Sequence, residues 1–188
     1  MATDSYAKPY LLKQVTSDLE RDEGFRKYAY PDPLSLLAKR YPNQKWGFRP
    51  AREILAEIGQ KEEKGMPWTV GFGETSGVNP DTTMTREMAH HKLEARVIKF
   101  AADLERVYPE WKNQPVVVQT VLLNMCYNLG AKGLAQFKNT LKSITARDYK
   151  QAAANLRKSL WYTQTGVRAK YLVKRIETLT IEPNHLVA

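Results

Sequence analysis

Apolar residues recur at helical spacing near the start of the chain. Leu11, Leu12, Val15 and Leu19 mark one face of a helix over about residues 8–23, and Gly24 follows as its stop. From Phe25 to Asp32 the pattern changes to aromatic and polar alternation. This predicts a short extended segment that ends in a proline-bounded turn, Pro31-Asp32-Pro33. Residues 33–67 are the least regular stretch. They hold Pro33, Pro42, Pro50 and Pro67 and two apolar bursts, Leu34–Leu37 and Ile54–Ile58. Pro50 is a plausible helix start, with Gly59 or Gly65 as its end. Residues 68–73 read as a strand whose glycines let backbone or ligand approach closely.

Helices dominate the remainder. Thr85 is a candidate N-cap, without Glu or Gln at the third helical position to complete a capping box. Leu93, Val97, Phe100 and Leu104 then share one face of a long amphipathic run. Pro115 opens a run from Val116 to Leu129 that is apolar nearly all round, which predicts a central helix closed by Gly130. Three shorter helices are expected over about 134–144, 147–160 and 165–179. The class is α+β and predominantly helical, with the β-containing part near residues 25–75.

Composition narrows the picture. A chain of 188 residues supports one sizeable core. Hydrophobic residues at 43% and charged residues at 26% lie in the globular range and argue against disorder. The net charge of +9 is unevenly placed. Residues 1–111 carry 17 basic and 17 acidic side chains, and residues 112–188 carry 12 and 3. A basic half invites a polyanionic partner. Cys126 is the single cysteine, so no intrachain disulfide forms. The first fifteen residues hold no signal-peptide core, and no stretch approaches the roughly 20 apolar residues of a membrane span. The expectation is a soluble, unexported protein.

Two carboxylates stand out by their setting. Glu23 ends a predicted helix, where the negative end of the helix dipole disfavours an ionised carboxylate. Asp32 lies between two prolines in a rigid turn. Two acids in different environments suit glycoside hydrolysis, in which one protonates the leaving oxygen and the other holds or activates water. Spacing alone is weak support in a chain with 20 acidic residues.

The surrounding residues add to it. Glu23-Gly24, Arg26, Tyr30 and Asp32 precede Trp68-Thr69-Val70-Gly71-Phe72-Gly73. Further blocks follow in order: residues 123–130, residues 133–141, and a run over 152–170 that holds Asn155, Lys158, Ser159, Trp161, Tyr162, Gln164, Thr165 and Arg168. These resemble the phage-type lysozymes, glycoside hydrolase family 24, and especially their T-even members, over about residues 11–32 and 68–179. The resemblance implies a two-lobed fold. A small β-containing lobe would span about 25–84, a connecting helix about 85–104, and a helical lobe about 1–24 with 105–188.

It further implies a muramidase that cleaves, with inversion, the β-1,4 bond between N-acetylmuramic acid and N-acetylglucosamine in peptidoglycan. By motif, Glu23 would be the general acid, with Asp32 and Thr69 positioning the attacking water. Tyr127, Asn128, Thr140 and Asn155 match positions that line the sugar cleft. Arg168 would pair with Glu23 and oppose the dipole effect. The sequence departs from the family at Glu74, where a histidine is usual; a solvent-facing side chain is the preferred expectation, and a substrate contact the alternative. Residues 33–67 replace a short turn and would form a lid, contact peptide stems or cap the lobe.

Other features carry less. His90 and His91 lie adjacent on a helix, and no metal-binding spacing occurs, so neither metal nor cofactor is expected. Cys126 reads as a core thiol. Trp161 and Tyr162 read as packing before sugar platform. The basic residues of 147–175 read equally as a solvated face or as attraction to lipopolysaccharide and acidic wall polymers. The leading expectation is a monomeric endolysin. It would act on peptidoglycan glycan strands, wait in the host cytoplasm, and need a holin to reach the periplasm and wall. A lytic transglycosylase of the same fold and a basic envelope-binding protein are the alternatives. No nucleic-acid recognition motif is present.

Overall fold

The computed structural model describes residues 8–179. Helix α1 (Pro9–Glu23) forms where the apolar stripe predicts it, burying Leu11, Val15 and Leu19. Gly24 ends it at φ 67°, its N–H donating to the Glu20 carbonyl at 3.1 Å. Strand β1 (Arg26–Pro31) follows and pairs antiparallel with β2 (Trp68–Gly71), Tyr30 facing Thr69 and Pro31 facing Trp68. A register shift lies between Arg26 and Tyr30.

The stretch between the strands is more ordered than its prolines suggest. It holds α2 (Leu36–Arg40), α3 (Ala51–Ile58) and a 3-10 turn (Glu62–Gly65). Ser35 caps α2 by accepting from the Ala38 N–H at 3.1 Å. Gly59, of the two expected ends, closes α3. Leu37, Ala51 and Leu55 from this stretch bury themselves with Ala29 of β1 and Trp68 of β2, and Tyr41, Trp46 and Ile58 pack against that core. Segment 33–67 therefore builds much of the hydrophobic interior around the sheet.

Thr85 accepts from the Met88 N–H at 3.1 Å and caps α4 (Arg86–Val107). A 3-10 turn (Pro109–Asn113) leads to α5 (Val116–Leu134), which kinks at Gly130, where the sequence predicts its end. Six consecutive residues of α5, Val121 to Cys126, are buried, as a helix apolar on all sides requires. Four helices follow where three are expected: α6 (Lys138–Thr145), α7 (Tyr149–Arg157), α8 (Leu160–Thr165) and α9 (Val167–Glu177). The additional break has a local cause. Ser159 accepts from the Tyr162 N–H at 3.2 Å and starts α8, and Gly166 separates it from α9.

By its contacts the chain divides into two units, residues 16–96 and residues 1–15 with 97–188. The first holds both strands, α2 and α3, and is called the mixed unit below. The second is the helical unit, where α5 packs against α9, and α7 against α6 and α9. The ends of the expected single domain, residues 1–7 and 180–188, lie outside the described residues. Among the described residues, no helix is long and apolar enough to cross a membrane. Nine helices and one small sheet among those residues make the fold predominantly helical α+β.

Candidate functional site

Glu23, Asp32 and Thr69 all belong to the mixed unit. Glu23 is the last residue of α1 and is half-buried. The turn at Gly24 brings the chain directly into β1, so the helix end and the strand start are joined by two residues. Asp32 follows the last residue of β1. Its N–H is held by the carbonyls of Gly65 and Pro67, each at 3.1 Å. Its Oδ1 accepts from the Leu34 N–H at 2.6 Å, an Asx-turn that fixes the carboxyl group. Oδ2 makes no hydrogen bond among the described residues and remains available to a water.

Thr69 lies on β2 opposite Tyr30. Its side chain is nearly buried at 9% exposure, yet the hydroxyl makes no hydrogen bond among the described residues. A hydroxyl so placed can donate to one group and accept from another. The strand pairing thus fixes Thr69 close to Asp32 along the sheet.

Tyr30 links these groups to Glu23. Burial pushes its hydroxyl up from the ordinary tyrosine value, and the negative charge of Glu23 adds to that shift, while Arg26 and Arg96 oppose it. Arg96, on α4, donates to the Gly73 carbonyl at 2.9 Å and to the Phe72 carbonyl at 2.5 Å, clamping the turn that follows β2. Sequence patterning misses this arginine, because its partners are backbone atoms more than twenty residues away. Gly71 permits close backbone packing: a Cβ there would lie 2.8 Å from Met84 Sδ and 3.1 Å from Ala89 Cβ.

Glu74 is not the solvent-facing residue expected. Its Oε1 accepts from the N–H groups of Thr75 and Ser76 at 3.0 and 2.9 Å, and only 15% of the side chain is exposed. It closes the turn after β2 in place of a histidine.

Tyr127, Asn128, Thr140, Asn155 and Arg168 belong to the helical unit. Thr140 on α6 and Asn155 on α7 share a groove of about 440 Å³ with Phe137, Lys138 and Lys158 among its other lining residues. Asn155 is oriented there by Gln151, which donates to its Oδ1 at 2.9 Å. Tyr127 and Asn128 do not line that groove. The Tyr127 ring packs edge-on against Phe100 at 5.5 Å, and Asn128 Oδ1 accepts from the Trp161 indole at 2.9 Å. Arg168 on α9 donates from Nε to Asn124 Oδ1 at 2.8 Å.

Trp161 is 5% exposed and meets Phe137 edge-on, so it packs and offers no open face to a sugar. Cys126 is a core thiol, its acidity suppressed by burial to a pKa of about 12. His90 sits 2.6 Å from Glu20 and 3.3 Å from Glu94, a contact set within the mixed unit that joins α1 to α4.

Comparison with known proteins bears on this arrangement. The family model described as phage lysozyme matches residues 53–178, a span that includes Thr69 and the groove residues and begins beyond Glu23 and Asp32. The chain is 30% identical over 167 residues to the pre-baseplate central spike protein Gp5 of Enterobacteria phage T4, covering 87% of this chain and 28% of that protein. It is 36% identical over 61 residues to probable T4-type lysozyme 2 of Dictyostelium discoideum, covering 32% of this chain and 36% of that protein. It is 38% identical over 55 residues to the peptidoglycan hydrolase gp36 of Pseudomonas phage phiKMV, covering 29% of this chain and 6% of that protein. The chain thus spans well under half the length of these relatives. With more than half of its residues matched by the family's model, and with a predominantly helical α+β fold, the chain belongs to the phage lysozyme family.

Proposed function

We propose that the chain is a peptidoglycan muramidase that hydrolyses the β-1,4 bond between N-acetylmuramic acid and N-acetylglucosamine, with inversion at the anomeric carbon. One observation carries this reading. A carboxyl group at a helix end, a second carboxylate pinned by an Asx-turn, and a hydroxyl with no hydrogen bond among the described residues lie on consecutive and paired elements of one unit. In this mechanism Glu23 gives its proton to the glycosidic oxygen as the bond to the anomeric carbon breaks. A water held between Asp32 Oδ2 and the Thr69 hydroxyl attacks that carbon from the opposite face. Asp32 takes the proton that the water releases.

The four remaining family positions, Tyr127, Asn128, Thr140 and Asn155, are proposed to contact the glycan, with the Thr140–Asn155 groove as a candidate surface. Arg168 is proposed to support Glu23, as the family resemblance implies. Host lysis as a monomeric endolysin belongs to the same proposal, with cytoplasmic accumulation, holin-dependent release to the periplasm and wall, and attraction of the basic half to lipopolysaccharide.

The test is reducing-end release from purified peptidoglycan by the parent protein and by Glu23→Gln, with the anomer of the first product followed by NMR. The expected result is a loss of about 10²–10⁴-fold in turnover for the variant, and an α-configured first product from the parent. Parent-like turnover by Glu23→Gln removes the acid assignment, and a 1,6-anhydro product replaces hydrolysis with the transglycosylase alternative.

A further inference from the structure

Segment 33–67 buries Leu37 and Leu55 in the core around the sheet and packs Tyr41, Trp46 and Ile58 against it, while Leu34, Leu36, Phe48 and Met66 stay exposed. Leu37, Ile54 and Leu55 are buried, and Trp46 packs edge-on against Trp68 at 5.9 Å. Phe48 stays 62% exposed in the same segment. It is nonetheless held in place. The Arg26 guanidinium lies over its ring, 4.4 Å from the centroid. The Phe48 N–H donates to the Lys45 carbonyl at 3.1 Å, and the Gly47 carbonyl accepts from the Tyr28 N–H at 3.1 Å. Gly47 presses so closely on Arg26 that a Cβ there would lie 2.7 Å from Arg26 Cδ.

Arg26 itself reaches back toward the candidate acid. Its Nη1 donates to the Phe25 carbonyl at 3.1 Å and lies 3.3 Å from where a Cβ on Gly24 would sit. Glu23 is the next residue. A continuous set of contacts therefore runs from Phe48 through Arg26 to the backbone beside Glu23, all within the mixed unit. Isolated exposed apolar side chains are ordinary on protein surfaces. A ring clamped by a cation on one face, and joined through that cation to the backbone next to a candidate catalytic residue, is a different case.

We propose that Phe48, steadied by Arg26, is a stacking platform for a pyranose ring of the glycan strand next to the bond on which Glu23 acts. The proposal rests on the muramidase reading above. One face of a pyranose presents C–H groups, and its hydroxyls point outward around the rim. That face matches the electron-rich face of an aromatic ring, with the guanidinium occupying the opposite side. Segment 33–67 would then extend the substrate surface as well as fill the core.

Two readouts test it: steady-state hydrolysis of purified peptidoglycan, and calorimetric binding of soluble N-acetylglucosamine tetramer to the Glu23→Gln protein. Phe48→Ala is expected to raise KM about tenfold, to leave kcat within about twofold, and to weaken tetramer binding by about the same tenfold factor. Phe48→Trp is expected to restore both, and Phe48→Leu, apolar but without an aromatic face, to restore neither. Thermal midpoints matching the parent separate these effects from folding. KM and tetramer affinity unchanged in Phe48→Ala overturn the platform, as does full restoration by Phe48→Leu. A parent protein that releases no reducing ends, yet loses tetramer binding on Phe48→Ala, removes the hydrolase reading and leaves the platform standing.

Discussion

Thr69 is nearly buried as a residue, and its hydroxyl makes no hydrogen bond among the described residues, although its main chain is paired in the sheet. Removing it orphans no described partner. Thr69→Val, which keeps the branched shape, should therefore change stability by less than about 1 kcal/mol in urea titration. Peptidoglycan turnover should fall at least about tenfold. Loss of stability without loss of turnover would make Thr69 a packing residue. His90 offers a second test at this scale. Its hydrogen bond with Glu20 raises its pKa above 6.5, against a smaller opposing effect of burial, and Glu94 adds to the rise. Arg86, at 3.7 Å from Glu20, competes for the same carboxylate. A folded value above the unfolded one means that the protonated contact stabilises fully below about pH 6.5, and that this contribution fades as pH rises through the folded value. The thermal midpoint of His90→Gln should therefore trail the parent most at about pH 5–6 and approach it by about pH 9. A pH-independent gap would reject the charged contact. Glu74 and Phe48 show what residue-level reading of a sequence omits. The partners of Glu74 are turn N–H groups, and the partner of Phe48 is an arginine 22 positions earlier, so neither environment is written in local spacing.

Elements with strong local signals are legible without coordinates. The stripe of α1, the Gly24 stop, the Thr85 cap and the all-round apolar α5 each appear where their residues predict. The local settings of Glu23, Asp32 and Thr69 are legible too, at the end of α1, in the turn after β1 and on β2, while their roles rest on the proposal above. Short elements are not legible in this way. Helix α2 has five residues and buries Leu37 alone, so its existence depends on the Ser35 cap and on the core beneath it. The α8 break is likewise a matter of one cap and one glycine. In segment 33–67 the sequence shows α3, which starts after Pro50, and hides α2 among its prolines; Leu55 of α3 is 3% exposed inside the core. Leu55→Ala should lower the unfolding free energy by about 2–5 kcal/mol in chemical denaturation. A cost under about 1 kcal/mol would mean that the segment folds independently of the sheet.

For the whole molecule, charge and chemistry are divided along the chain. The candidate acids lie in the first 111 residues, which are neutral overall, and the excess of +9 lies beyond them. Lys150, Lys170 and Lys174 are exposed on α7 and α9. Reversing these three to Glu should weaken binding to lipopolysaccharide at low salt, and the parent's own binding should weaken as salt rises past about 0.15 M. Reversing Lys39, Arg40 and Lys45 in the mixed unit should have a smaller effect. Equal losses from both triple variants would show that net charge alone matters, without regard to place.

The contact of the Asp32 N–H with both Gly65 and Pro67 has a consequence for engineering. The polypeptide leaves the sheet after Asp32 and returns within hydrogen-bond distance of the same residue, so the two ends of the intervening stretch meet at one place. Such a junction is a natural port for grafting. A foreign module whose ends meet at similar spacing can be exchanged there without re-routing the strands, provided that it brings apolar side chains to replace Leu37, Ala51 and Leu55 beneath it.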